Sequence, residues 1–194
     1  MKFVSKVIVA VSLIVFLSGC ASYRGGQVGE ITDWPPASPP EKKSISYVIT
    51  GKTNINGTVN DALPAAIEAW KVQLEKAYND SGMFFSVFDG VINSDIRAEV
   101  SITNAGEANF VLAFLSGFTF GVIPSYANDE FIVETTFRDS NGNVLGRVDK
   151  KEDVSTWIQI LLLPITPFAF PVAAIESAQY DIHRATLIDL NGKI

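Results

Sequence analysis

The N-terminal segment most constrains what this chain can fold into, because it separates a processed leader from the part that folds. Lys2 and Lys6 give it a positive start, and residues 7–17 form an uncharged, strongly apolar run of 11 residues. Small residues then precede Cys20. This pattern is typical of a secretory signal peptide. The run is too short for an ordinary membrane-spanning helix, which needs about 20 apolar residues.

The motif Leu17-Ser18-Gly19-Cys20 resembles the bacterial lipobox, and Cys20 is the only cysteine in the chain. The resemblance implies cleavage between Gly19 and Cys20, a diacylglycerol on the Cys20 sulfur and a fatty acyl group such as palmitate on the new amine. Two or three acyl chains anchor a protein stably to a membrane. The alternatives are a plain signal peptide beside a free cysteine, or an uncleaved anchor.

The resemblance also carries an expectation about location. Ala21 follows the cysteine. By analogy with lipoproteins that stay in the inner membrane, where Asp occupies this position, Ala21 favours the outer membrane of a Gram-negative cell. We expect the folded domain to face the periplasm.

Charge and thiol content exclude several functions. Loss of Lys2 and Lys6 with the signal peptide changes the formal charge from −6 to −8. This acidic balance argues against nucleic acid as a partner, and it argues against electrostatic attachment to anionic lipid. Once Cys20 is modified no thiol remains, which excludes disulfides, thiolate metal sites and cysteine nucleophiles.

The chain divides into three predicted parts: a signal peptide over 1–19, a lipidated N-terminus with a tether over 20–43, and one domain over 44–194. The tether is predicted from its glycines, its four prolines and its small number of large apolar residues. Prolines favour extended chain, so this tether would hold the domain roughly 25 to 60 Å from the bilayer.

Hydrophobic periodicity predicts the elements of the domain. Strands are expected over 44–50, 83–88 and 96–103. A hairpin is expected to join 131–138 to 144–150 through Asn141-Gly142. Helices are expected over 60–82, with Asn60 as the cap, and over 172–190. This order predicts an α+β fold: a mostly antiparallel sheet of about five strands with two main helices packed on one face.

Two long segments carry no charged residue, 108–128 and 154–175. Each has the length of a membrane span, and three interpretations compete. They could pack in the core. They could expose a contact surface for a partner, a lipid or a second copy, a surface formed by Phe118, Phe120, Trp157, Phe168 and Phe170. They could insert into a membrane, although three prolines at 164, 167 and 171 would break a lipid-exposed helix.

The sequence offers no recognisable catalytic set. His183 is the only histidine, and we interpret it as part of a charged helix surface. Asp149, Glu152 and Asp153 cluster with Lys150 and Lys151, which predicts a solvated turn. No phosphate-binding loop or nucleophile elbow occurs. We therefore expect no catalytic residue, no metal and no cofactor beyond the lipid on Cys20.

The chain resembles a group of uncharacterised bacterial envelope lipoproteins in the order of its elements and in three motifs. These are Ser116–Pro124 before a strand, the hairpin at Asp139–Gly142, and Leu163-Pro164. The resemblance implies a compartment and a fold class only. The leading hypothesis is a non-catalytic lipoprotein, anchored to the membrane, that binds an envelope protein or supports an assembly, with a homo-oligomer as one form. The alternatives are a module that binds lipids or other hydrophobic ligands and an envelope hydrolase with a pair of carboxylates.

Overall fold

The computed structural model describes residues 19–191, so the predicted signal peptide, apart from Gly19, lies outside the described residues. The elements, in chain order, are β1 (Cys20–Arg24), β2 (Lys43–Ile55), β3 (Thr58–Asp61), α1 (Pro64–Asp80), β4 (Phe84–Asp89), β5 (Ile96–Ala108), α2 (Phe110–Phe118), β6 (Ser125–Asp139), β7 (Val144–Ile158), a 3-10 helix (Ile160–Leu162) and α3 (Pro171–Asn191).

The strands form one sheet in the spatial order β1-β7-β6-β5-β2-β3, and β4 also pairs with β2. β2 runs parallel to β4 and β5, whereas all other neighbouring pairs are antiparallel. The predicted α+β class is confirmed, but the sheet is mixed and larger than the predicted five strands. Local periodicity indicates that a segment is extended, and it does not specify which distant strand pairs with it.

The core lies between one face of the sheet and the helices α1 and α3. In β5 the predicted alternation is observed, with Ile96, Ala98, Val100 and Ile102 buried. Helix α1 contributes Trp70, which packs edge to face on Phe131 at 5.4 Å, and α3 contributes Ile182 and Leu187. The opposite face of β5 carries Glu99 and Ser101, which are exposed, so one face of the sheet meets water.

Helix α1 begins later than predicted. Asn60 does not cap it, because Asn60 pairs with Thr53 in the short hairpin between β2 and β3. Leu63 takes the N-cap position without a side-chain hydrogen bond, and Pro64 follows as the first helical residue. Proline is favoured there because its missing N–H has no partner in the first turn.

The β6–β7 hairpin turns at the predicted residues, although both strands are longer than expected. Gly142 has a φ of 87°, and the Asp139 carboxylate accepts hydrogen bonds from the backbone N–H groups of Asn141 (2.9 Å) and Asn143 (2.8 Å). The Asn143 side-chain amide also donates to this carboxylate at 2.9 Å, and this bond, together with the two backbone bonds, lowers the pKa of Asp139. Hydrogen bonds between polar residues that are close in sequence therefore determine the turn at this end of the sheet.

The segment 20–43, predicted as a tether, is packed against the domain at several points. Residues Cys20–Arg24 form the edge strand β1, paired with β7, and Ala21 is buried. Trp34 lies edge to face on Tyr180 at 6.5 Å, and the Arg184 guanidinium lies over the Trp34 ring. The composition of this segment suggested a flexible tether. An edge strand, however, is held by backbone hydrogen bonds rather than by large apolar side chains, and composition carries no information about backbone hydrogen bonds.

Candidate membrane-anchoring site

Cys20 is the first residue of β1, and the domain holds its main chain on both sides. Its N–H donates to the Thr166 hydroxyl oxygen at 3.1 Å, and the carbonyl of Gly19 accepts from the Gln159 N–H at 2.9 Å. Cys20 pairs with Ile158 of β7. Its side chain is only partly buried, and this burial raises the pKa of the thiol.

Hydrogen bonds bring the two uncharged segments together at the end of the sheet that holds Cys20. The Ile160 N–H donates to the Gly121 carbonyl at 2.9 Å, which joins the second segment to the first. Ser125 at the start of β6 pairs with Ile158, the same residue that pairs with Cys20. The Ser22 N–H donates to the Ala169 carbonyl at 2.9 Å. The N-terminal strand and both segments therefore share one end of the domain.

This end of the domain exposes apolar side chains. Of the 24 large apolar side chains that are exposed within residues 19–191, fourteen belong to segments 108–128 and 154–175. In these segments only Ser116, Gly121, Ser125 and Val154 are buried. Core packing therefore does not describe them. We call this surface the apolar end and define it by Phe110, Phe114, Phe118, Phe120, Tyr126, Trp157, Leu161, Phe168 and Phe170.

The five residues predicted as a contact surface all lie in the apolar end. Phe118 ends helix α2 and stacks on Phe114 at 6.4 Å, while Trp157 lies 5.0 Å from Tyr126 across β7 and β6. Phe168, which is 91% exposed, follows the 3-10 helix. Phe120 is half exposed, and Phe170 directly precedes α3. The structure thus gathers these side chains, and their role as a contact surface stays a prediction.

A tight turn connects α2 to β6 within the apolar end. Phe120 adopts a φ of 53° and Gly121 a φ of 79°. A non-glycine residue in this left-handed region costs roughly 1–2 kcal/mol. The Gly121 N–H donates to the Ser116 carbonyl at 2.7 Å, which ties the turn to the helix. The chain therefore keeps Phe120 half exposed in an unfavourable backbone conformation, and such conformations cluster at functional sites.

A buried ion pair between Arg24 and Glu152 holds the segment that follows Cys20 against the sheet. The sequence analysis did not predict this pair. Glu152, predicted in a solvated turn, lies in β7 and is fully buried. Its carboxylate accepts hydrogen bonds from the Arg24 guanidinium (3.0 Å) and from the backbone N–H groups of Gly26 (2.8 Å), Gln27 (3.2 Å) and Val28 (3.3 Å). Burial opposes ionisation of Glu152, but these bonds outweigh it and lower the pKa.

Arg24 extends this pair to helix α3. Its guanidinium donates to Asp181 at 2.6 Å, and Asp181 also accepts from Arg184 at 2.9 Å. The signal available in the sequence was the two-residue period of β7, which places Glu152 on the same face as the buried Val148 and Val154. The segment directly after Cys20 is therefore held to the sheet and to a core helix.

His183 was predicted to lie on a charged helix surface, but it lies in the core. It is 1% exposed, and its ring packs edge to face on Trp70 at 5.6 Å. Within residues 19–191 its Nε2 atom has no hydrogen-bond partner, and burial lowers its pKa to about 3. The imidazole is therefore a neutral core side chain at physiological pH.

An open groove of about 840 Å³ lies beside α2. Its lining combines apolar residues, such as Phe110 and Tyr126, with the polar residues Asn56, Glu107 and Glu130. Among the described residues, no helix has both the length and the apolar character to cross a membrane. The same residues hold no group of three His, Cys, Asp or Glu side chains that could bind a metal ion.

No family model matches the chain, and no curated protein matches it. Among solved structures, the fold is similar to that of a minor lipoprotein from Acinetobacter baumannii, with a TM-score of 0.44 and 14% identity over 79% of this chain and 96% of that one. A PelC dodecamer from Paraburkholderia phytofirmans gives a TM-score of 0.34 and 13% identity over 88% and 96%. Both similarities are too low to support an argument about function.

Proposed function

We propose that this protein is a bacterial envelope lipoprotein, held to a membrane through Cys20, whose domain acts without catalysis as a binding or assembly component. The observation that carries the proposal is the place of Cys20. The residue of the lipobox-like motif begins an edge strand at the end of the domain that exposes most of the apolar surface. A lipid-modified residue belongs where the protein meets a membrane.

The surroundings of Cys20 are compatible with acylation of its amine. A free amino terminus would lose the carbonyl that accepts the Gln159 N–H, whereas an acyl amide keeps both this carbonyl and the N–H that donates to Thr166. A side chain on Gly19 would collide with the backbone of Leu163. The unbranched first methylene of an acyl chain would avoid this collision. The fold therefore favours an acylated Cys20 over a free amine.

The buried groups of the domain support a structural rather than a catalytic reading. Glu152 is engaged by Arg24 and by backbone donors, and His183 is enclosed in the core. Polar residues on the open face of the sheet, such as Ser101 and Glu134, are exposed to solvent. We place the binding or assembly role on this part of the surface, and the outer membrane facing the periplasm is the location that we propose.

The experiment that tests the anchor is fractionation of cells that express the wild type or Cys20→Ser. We expect the wild type to sediment with membranes at high salt, and the variant to appear in the soluble fraction with unchanged circular dichroism, because the Cys20 side chain is not part of the core. Ser22→Ala, two residues along the same strand, is the matched control and should stay with membranes. A Cys20→Ser protein that still sediments at high salt would refute lipid anchoring.

A further inference from the structure

We infer that the apolar end is itself a membrane-contact surface, which lies at the boundary between headgroups and acyl chains in the same leaflet that receives the Cys20 acyl chains. The inference rests on the proposed function and specifies how the domain is oriented. The occupant of the surface is the lipid bilayer, not a protein partner or a second copy of the chain.

The first argument is distance. A flexible tether would let the domain stand away from the bilayer, but β1 begins at Cys20 itself and is bonded to β7. The Arg24–Glu152 ion pair then holds the next residues in place. Acyl chains on Cys20 must therefore leave the protein directly at the apolar end.

The second argument is charge. Burial of ionised side chains in the hydrocarbon below the headgroups is costly, and segments 108–128 and 154–175 contain none. The rest of the domain is acidic, so attraction to anionic lipid cannot hold the domain close. Contact with lipid must then come from apolar side chains, and these are what this end exposes.

The third argument is the kind of side chain that is exposed. Tyr126 and Trp157 lie side by side, and such amphipathic rings are enriched at membrane–water interfaces. Phe118 and Phe168 are 75% and 91% exposed. Isolated exposed apolar residues are ordinary, whereas several aromatic rings exposed at the end that holds a lipid-attachment residue indicate membrane contact.

The opposite end of the sheet provides the control. Phe85, which is 66% exposed, lies in β4, where the neighbouring Phe84 pairs with Lys43 at the start of β2. This is the end of β2 furthest from the apolar end, because Ile55 at the other end pairs with Gly106 near the start of α2. An apolar side chain there should stay in water when the domain is anchored.

The test uses the full lipidated protein, purified from membranes and reconstituted in vesicles of phosphatidylethanolamine and phosphatidylglycerol. Because Cys20 is the only cysteine and is occupied by lipid, Phe168→Cys and Phe85→Cys each introduce one free thiol for an environment-sensitive fluorophore. We expect brominated acyl chains to remove most of the emission at position 168 and to leave position 85 unchanged. Aqueous iodide should quench position 85 and spare position 168. Phe118→Cys repeats the measurement if Phe168→Cys unfolds.

Three results would overturn the inference. Iodide quenching at position 168 equal to that at 85, with the protein still on the vesicles, would mean that the apolar end faces water. Protection of position 168 from both quenchers would mean that another protein surface covers it. A wild type that does not bind vesicles and whose Cys20 reacts with maleimide would refute the proposed anchor as well, which distinguishes the two failures.

Discussion

At the scale of single residues, His183 shows how a residue that suggests chemistry can serve packing instead. His183 was predicted to lie on the surface because its neighbours on the helix are charged. Its ring instead packs against Trp70. The neighbours Ile182 and Thr186 are also buried, so the buried stripe of α3 is wider than its aliphatic residues alone indicate. Periodicity located the helix but did not fix the limits of its buried face.

His183 makes the stability of the domain depend on pH. Its pKa is about 3 in the folded protein, against about 6.5 in an unfolded chain. Between these values the unfolded chain binds a proton that the folded domain does not, so stability falls as the pH drops below about 6.5. We expect a loss of about 2 kcal/mol at pH 5 relative to pH 8, measured by urea unfolding of the soluble Cys20→Ser protein.

The variant His183→Leu checks the assignment. It replaces the titrating imidazole with an apolar side chain of suitable size. The difference in stability between pH 8 and pH 5 should therefore largely disappear. Carboxylates in an unfolded chain titrate near pH 4 and contribute little in this range. An unchanged pH dependence in the variant would show that another group is responsible.

At the scale of elements, what could be predicted from the sequence is what local pattern encodes. The alternation over 96–103 predicted a half-buried strand, and β5 buries the predicted face. The Asn141-Gly142 signal predicted the β6–β7 turn. Strand β1 and the parallel neighbours of β2 depend on pairing between distant segments, which no local pattern contains. For the segment that contains α2, the sequence left core packing and an exposed contact surface both open, because apolar composition ordinarily indicates burial and does not report exposure.

Attachment of β1 gives a test at the scale of elements. Arg24→Ala would leave the buried carboxylate of Glu152 without its cationic partner, and loss of one partner of a buried ion pair costs about 3 kcal/mol or more. We expect a loss of this size in urea unfolding of the Cys20→Ser protein. The matched control is Arg138→Ala, whose ion pair with Glu99 is largely exposed and should contribute less than about 1 kcal/mol.

The double variant Arg24→Ala with Glu152→Leu separates the causes. Replacement of both partners removes the unpaired charge, so the double variant should be more stable than Arg24→Ala alone. If Arg24→Ala and Arg138→Ala cost the same, β1 is not held by the buried pair, and the chain after Cys20 could act as the flexible tether that its composition suggested.

At the scale of the whole molecule, the domain is an acidic body whose two uncharged segments expose aromatic side chains at one end, and Cys20 emerges at that end. The sequence contained both features, but it could not show that they coincide, because the coincidence depends on the pairing of β1 with β7 and on the contact between the 3-10 helix and the α2–β6 turn. In this account the lipid anchor fixes both the location of the domain and its orientation on the bilayer.

The central claim is that Cys20 carries the lipid, and mass spectrometry of the mature N-terminus tests it most directly. Protein extracted from membranes and digested should yield an N-terminal peptide that begins at Cys20, with a mass increased by a diacylglycerol on sulfur and a fatty acyl group on nitrogen. A peptide that carries residues before Cys20, or one that begins at Cys20 with a free thiol and a free amine, would contradict the account.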